Sequence, residues 1–195
     1  MRNIIKLIIN ILSTIFKKKI EEPINKPLIK EIKPGYLSNH FSQEELIRSQ
    51  TATRHSIDNT PNKVQLQNLK DLSIDILDPI RDHYNKPIHI TSGFRCNDLN
   101  TKIGSSMRSQ HKKGEAADFI ISEALALANI WRWIIMESAL DFDQIILEFD
   151  SWIHISYKKN SENRNKISVA KKINGKTKYT HFTKEQIIAN NGNRV

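Results

Sequence analysis

The 195 residues, with 30 Lys+Arg against 21 Asp+Glu and a net charge of +9, suffice for one domain with a full hydrophobic core. The charge alone would suggest a nucleic-acid partner, but residues 35–157 hold 12 Lys+Arg against 16 Asp+Glu, and the basic excess lies in residues 1–34 and 158–195. Such flanks suit solvated tails, an anionic membrane or a cell wall as well as they suit nucleic acid, so nucleic acid is not expected. The single cysteine, Cys96, excludes an intrachain disulfide.

In chain order, Ile4 to Phe16 is apolar but too short to cross a bilayer, which takes about 20 residues. Lys17, Lys18 and Lys19 follow without a small-x-small cleavage pattern. Lys6, Asn10, Ser13 or Thr14, and Lys17 form one polar stripe at spacings of three and four, so residues 1–20 are expected to lie on a membrane surface as an amphipathic helix. An uncleaved signal anchor is the alternative. Residues 21–36, with Pro23, Pro27, Pro34 and Gly35, read as a linker to a domain over 37–180. Ser42 with Glu45 three residues on marks a helix start. From Pro61 to about Tyr84, Val64, Leu66, Leu69, Leu72, Ile76, Leu77 and Ile80 recur at helical intervals, with Pro79 expected to kink or split the end.

Ile88 to Ser92, Ala116 to Ile121, Gln144 to Phe149 and Trp152 to Tyr157 read as strands, the last two as a hairpin. A helix is expected over Ser122 to Ser138, with Leu125, Ala128, Trp131, Ile134 and Ile135 inward. Lys166 to Tyr179 reads as a further hairpin around Asn174-Gly175, and residues 181–195 as a loose basic tail. Helices segregated from a small, mainly antiparallel sheet make an α+β domain, expected to be monomeric.

Ser109-Gln110-His111-Lys112-Lys113-Gly114-Glu115-Ala116-Ala117-Asp118, followed by Trp152-Ile153-His154, supplies two imidazoles and a carboxylate. The seven residues between His111 and Asp118 require a turn, which Gly114 permits, and Asp118 and His154 each fall on one face of an alternating strand. Two imidazoles and a carboxylate can hold zinc with one position open. A histidine in a strand is also commonly a satisfied structural residue, and spacing alone leaves both readings open.

Ser92-Gly93-Phe94-Arg95, Leu99-Asn100, Ser109-x-His111-x-x-Gly114-x-Ala116-x-Asp118 and Trp152-x-His154, in this order, resemble the zinc D-Ala-D-Ala carboxypeptidase family. That family includes phage L-alanyl-D-glutamate endolysins and shares its zinc core with the hedgehog signalling domain. Thr51-Ala52-Thr53-Arg54 and Ile57-Asp58-Asn59-Thr60-Pro61 are similar to its cell-wall branch. The resemblance implies Zn2+ held by His111, Asp118 and His154, a peptidoglycan stem peptide as substrate, and Arg95 beside the metal, gripping a carboxylate or oxyanion, with a structural ion pair as its alternative. Ser109 would hydrogen-bond substrate or buttress its loop. The implied location is the cell envelope or membrane, or the host cell until lysis if a phage encodes the chain.

One family feature is displaced. Many members carry a catalytic glutamate three residues before the second zinc histidine, where this chain has Ser151. Glu148 and Asp150 are the nearby acids. A two-residue turn at Asp150-Ser151 would point Glu148 away from His154, whereas a three-residue loop over Asp150 to Trp152 would pair Glu148 with His154 on the metal's face. Glu148 is therefore the expected base, with Asp150 the alternative and otherwise a turn-former. His89 reads as structural, Cys96 as a small packed residue, and His40, His55, His83 and His181 show no ligand-like spacing. Two rival readings remain: a catalytically inactive, zinc-stabilised cell-wall-binding module, and a membrane–nucleic-acid tether built on the arms.

Overall fold

The computed structural model of the protein describes residues 32–121 and 126–189. The amphipathic segment expected over residues 1–20, most of the linker, Leu125 and the last six residues lie outside them.

The first helices among the described residues are short, Gln43–Ile47 and Gln50–Arg54, each opened by a serine whose side chain accepts the backbone N–H three residues on. Asn62 and Gln65 form a reciprocal capping box at the start of the helix Lys63–Leu72. Its stripe, Leu69, Leu72, Ile76, Leu77 and Ile80, is fully buried as expected. Val64 was expected inward but is 69% exposed. Five residues before Leu69, at about 100° per residue, it sits well off the stripe. The end is divided as expected: the helix passes through a π-helical turn, Ser73–Leu77, into the helix Asp78–Tyr84, which carries Pro79 in its first turn. There the Asp78 N–H reaches back to Ser73 O, and the wider turn accommodates a proline that can donate no bond.

Six strands form one sheet: β1 Ile88–Ser92, β2 Ala116–Ile121, β3 Gln144–Glu148, β4 Trp152–Ser156, β5 Lys166–Ile173 and β6 Lys176–Phe182. Their order is β1-β2-β4-β3-β5-β6, antiparallel except for the β3–β5 pair. The result is the expected α+β fold. Elements not expected from the sequence include the six-residue helix Asn97–Lys102 and a helix at Lys184–Ala189 within the expected loose tail, anchored by the buried Ile187. The hairpin expected over Lys166 to Tyr179 is present as β5 and β6, turning at Asn174 and Gly175, both with positive φ as a tight hairpin requires, and running on to Phe182.

Alternation divides the sheet into two chemical faces. Ala117, Phe119, Ile121, Ile145, Leu147, Ile153, Ile155, Ile167 and Val169 join Leu69 to Ile80 and the helix Leu127–Met136 in one core. That helix buries Ile130, Trp131, Ile134 and Ile135, while Ala128, expected inward, is exposed at the edge of its stripe. The other face carries the polar residues, which pairing aligns in rows. One row runs Asp118, His154, Ile146, Ser168, His181 across β2, β4, β3, β5 and β6. The next runs Trp152, Glu148, Ala170, Tyr179 across β4, β3, β5 and β6.

Candidate metal centre and cleft

His111 stands on a 3₁₀ turn, Gln110–Lys113, ended by Gly114 at φ +73°. A side chain at Gly114 would be strained in this conformation, and its Cβ would lie 2.3 Å from Gln65 O. Gln65 and Asn68 donate to the carbonyls of Lys112 and Lys113, tying the turn to the long helix. Asp118 comes from β2 and His154 from β4, where the two are direct cross-strand partners.

The three groups converge. Asp118 Oδ1 lies 2.8 Å from His154 Nδ1 and 3.2 Å from His111 Nε2, and the two ring nitrogens are 3.2 Å apart. Ligands of a tetrahedral zinc at about 2.0–2.1 Å are themselves about 3.3 Å apart, so the donor set fits this ion. All three residues are buried. His111 Nδ1 is 2.7 Å from Gly93 O, which fixes that nitrogen as the donor and turns the lone pair of Nε2 toward the other two groups. Gly93 is required by a close approach: a Cβ there would lie 2.1 Å from Leu46 O. Burial lowers the His111 pKa, keeping the ring neutral as a ligand must be. Burial alone would raise the Asp118 pKa, but attraction and hydrogen bonding to His111 and His154 outweigh it and hold the carboxyl far below its ordinary range.

Arg95 donates from Nη2 to Asp118 Oδ2 at 2.7 Å and from Nε to Ser92 Oγ at 2.8 Å. The ion pair is thus present, and the guanidinium also lines the cleft above the cluster. Its loop is held by Asn59, which donates to Ile47 O and Phe94 O and accepts from the Cys96 N–H. The Ile57–Pro61 motif was recognised, but the sequence carries no sign of which backbone groups Asn59 would reach. Cys96 is half-buried, and its sulfur accepts from Leu99 N at the start of the helix Asn97–Lys102.

The β3–β4 loop does have three residues, but they are Phe149, Asp150 and Ser151. Glu148 therefore pairs with Trp152, and Ile146 pairs with His154, correcting the expected Glu148–His154 pair by one step on each strand. Parity survives the shift, so Glu148 still stands on the face of the cluster and lines the cleft. Its pKa is raised by burial and then by the charge of Asp118, which gives it the stronger proton affinity a base needs. Asp150 occupies the turn at φ +52°. Ser109 lines the cleft, and its backbone bonds Ser106 O and Lys112 N.

The cleft measures about 790 Å³. A sequence profile of the family Peptidase M15 matches residues 39–156, more than half of the chain and all the residues above. The chain belongs to the M15 peptidases. These are zinc metallopeptidases, and the His111–Asp118–His154 cluster could hold such an ion. No curated protein sequence matches the chain.

The M15 match ends before β5 and β6, yet these strands also line the cleft, with Lys166, Tyr179 and His181. His181 was set aside for lack of ligand-like spacing. It is not near the metal donors in the row, but its Nδ1 is 2.8 Å from the buried Ser168 Oγ, which fixes the ring. Only the β5–β6 pairing reveals this placement. His83 stacks on Trp133, and His40 bonds Asp82, both away from the cleft. The cleft is also more basic than the charge of residues 35–157 implies, because Arg164 and Lys166 enter it from the basic segment that follows.

Proposed function

We propose that the protein hydrolyses peptide bonds within peptidoglycan stem peptides as an endopeptidase. The observation that carries this is the shared face: three metal donors, a carboxylate of raised proton affinity and a guanidinium open into one cleft. Zinc, when bound, supplies Lewis acidity toward a carbonyl and lowers the pKa of water. His111, Asp118 and His154 hold the ion. Glu148 accepts the proton of the attacking water at its carboxylate and returns it to the leaving amine. Arg95, steadied by Ser92 and Asp118, faces the charge that develops on the carbonyl oxygen. Ser109, on the turn before His111, positions the peptide.

A cut inside the chain is supported by a second cavity of about 590 Å³ that shares Arg95 and Ile103 with the first and offers room for peptide on the other side of Arg95. A substrate on the cell wall also agrees with the membrane-surface role proposed for residues 1–20 and with an enzyme working at the envelope. The test is to incubate the zinc-loaded chain with purified peptidoglycan and identify the released fragments by mass spectrometry, with Glu148→Gln in parallel. A new internal stem-peptide amine is expected from the wild type, and a rate lower by about 10²–10⁴ from the variant. Release of terminal D-alanine alone would make the protein a carboxypeptidase. No product from a folded, zinc-bound chain would overturn the enzymatic reading in favour of a cell-wall-binding module.

A further inference from the structure

Six charged side chains line the cleft, and their pairing separates them. Arg95 is bound to Asp118, and Arg164 is bound to Asp143. Arg108 and Lys166 line the same cleft and have no ion-pair partner among the described residues. Two uncompensated cations facing one cavity form a site for an anion, since each gains from a carboxylate that displaces only water. Both side chains are exposed, and each is carried on held backbone. Lys166 opens β5, where it pairs with Gln144 of β3, and Arg108 belongs to the short loop before His111, its N–H bonded to Ser106 Oγ.

The neighbours of this pair are donors too. His181, held through Nδ1 by Ser168, leaves Nε2 for a ligand. Tyr179 lies on the far side of His181, two rows from Lys166 and beyond Ala170, whose methyl group leaves the space between Tyr179 and Glu148 open. Burial raises the Tyr179 pKa, and the charges of Glu148 and Asp118 raise it further, so its hydroxyl keeps its proton and can donate. β5 stands two strand spacings from β4, roughly 10 Å from the metal row. Extended peptide covers that distance in about three residues at 3.3–3.6 Å each.

We infer that Lys166 and Arg108, with the donors of the β5–β6 hairpin beside them, bind a side-chain or main-chain carboxylate of the peptide about three residues from the bond that is cut. The hairpin, outside the M15-matched residues, is then the specificity wall of the cleft, and the substrate class is an acidic peptide. This inference rests on the peptidase reading for the identity of its ligand.

The test uses two synthetic peptides that carry the bond identified in the peptidoglycan digest, alike except that a free carboxylate about three residues from that bond is replaced in one by a carboxamide. Binding is measured by fluorescence anisotropy on the full, zinc-loaded Glu148→Gln chain, which holds peptide without turning it over. The carboxylate peptide is expected to bind roughly tenfold more tightly, the size of effect that one charge-assisted contact produces. Adding Lys166→Gln and Arg108→Gln should bring the two affinities to within about twofold, and Lys166→Arg should restore the preference, a rescue that a structural role would not give. Equal binding of the two peptides, or a preference that survives the double substitution in a chain of unchanged melting temperature, overturns the proposal. Hydrolysis of the same peptides by the wild type is scored separately. Its absence would defeat the peptidase reading while the binding comparison still decides the wall.

Discussion

The two ends of the sheet differ in how their polar groups are satisfied. At the β1-β2-β4 end, Asp118 binds His154, His111 and Arg95, His111 binds Gly93, and Arg95 binds Ser92. At the β5-β6 end Lys166 and Tyr179 are exposed, and Lys166 has no ion pair among the described residues. A network that closes on itself fixes geometry, as a metal centre needs, whereas an unclosed one keeps its interactions for a ligand. Asp143 joins the two ends. Its fully buried carboxylate accepts from Gln110 beside His111, and from Lys158 and Arg164 before β5.

The largest break in this contrast is His154→Ala. It should abolish zinc-dependent hydrolysis and remove the rise in melting temperature on adding zinc, which for the wild type should reach about 2.7 kcal/mol of stabilisation at 100 times the dissociation constant. Calorimetry with and without chelator measures both. Next, Gly93→Ala forces a Cβ to 2.1 Å from Leu46 O and displaces the carbonyl that orients His111. A loss of about 1–3 kcal/mol in denaturant titrations is expected, together with weaker zinc binding.

Asp143→Asn attacks the joint. The Asp143 pKa is lowered to about 2 by hydrogen bonds and ion pairs from Arg164 and Lys158, against a desolvation that would raise it. A depressed folded-state pKa means that the stabilisation is complete above the unfolded value of 3.8 and fades as pH falls toward 2. The wild type should therefore lose about 2 kcal/mol across that interval on this account. The variant should start lower by a similar amount and show a flatter profile in urea titrations from pH 2 to pH 6. The smallest effect sharpens the comparison: Gly175→Ala in the hairpin meets no atom within 4 Å and suffers only its φ of +73°, so it should cost about 1 kcal/mol and leave zinc affinity unchanged.

Much of the fold was legible locally. The alternation in Trp152–Ser156, the 3.6-residue stripe from Leu69 to Ile80 and the Asn174-Gly175 turn each mark their element, because side-chain periodicity follows directly from backbone geometry. Ordered motifs were enough to name His111, Asp118 and His154 as a set. The register of β3 on β4 was not legible: every three-residue hairpin loop preserves parity, so Glu148 could be placed on the correct face but not opposite the correct partner. The helix around Ile187 was missed because a single buried side chain in a polar segment carries no periodic signal.

By itself, then, the sequence determined the element types, the two-faced sheet and which two imidazoles and carboxylate would be candidate metal donors, the first two through spacing along the chain and the last through an ordered set of motifs. Only the tertiary structure decided that Asn59 would hold the Arg95 loop, that Asp143 would join the two ends of the sheet, and that Lys166, Tyr179 and His181 would face the same cleft as the metal centre. The reason is strand order: β3 pairs with β5 in parallel, and that choice, made by packing across the sheet, places residues separated by as much as 70 positions from His111 in one cavity.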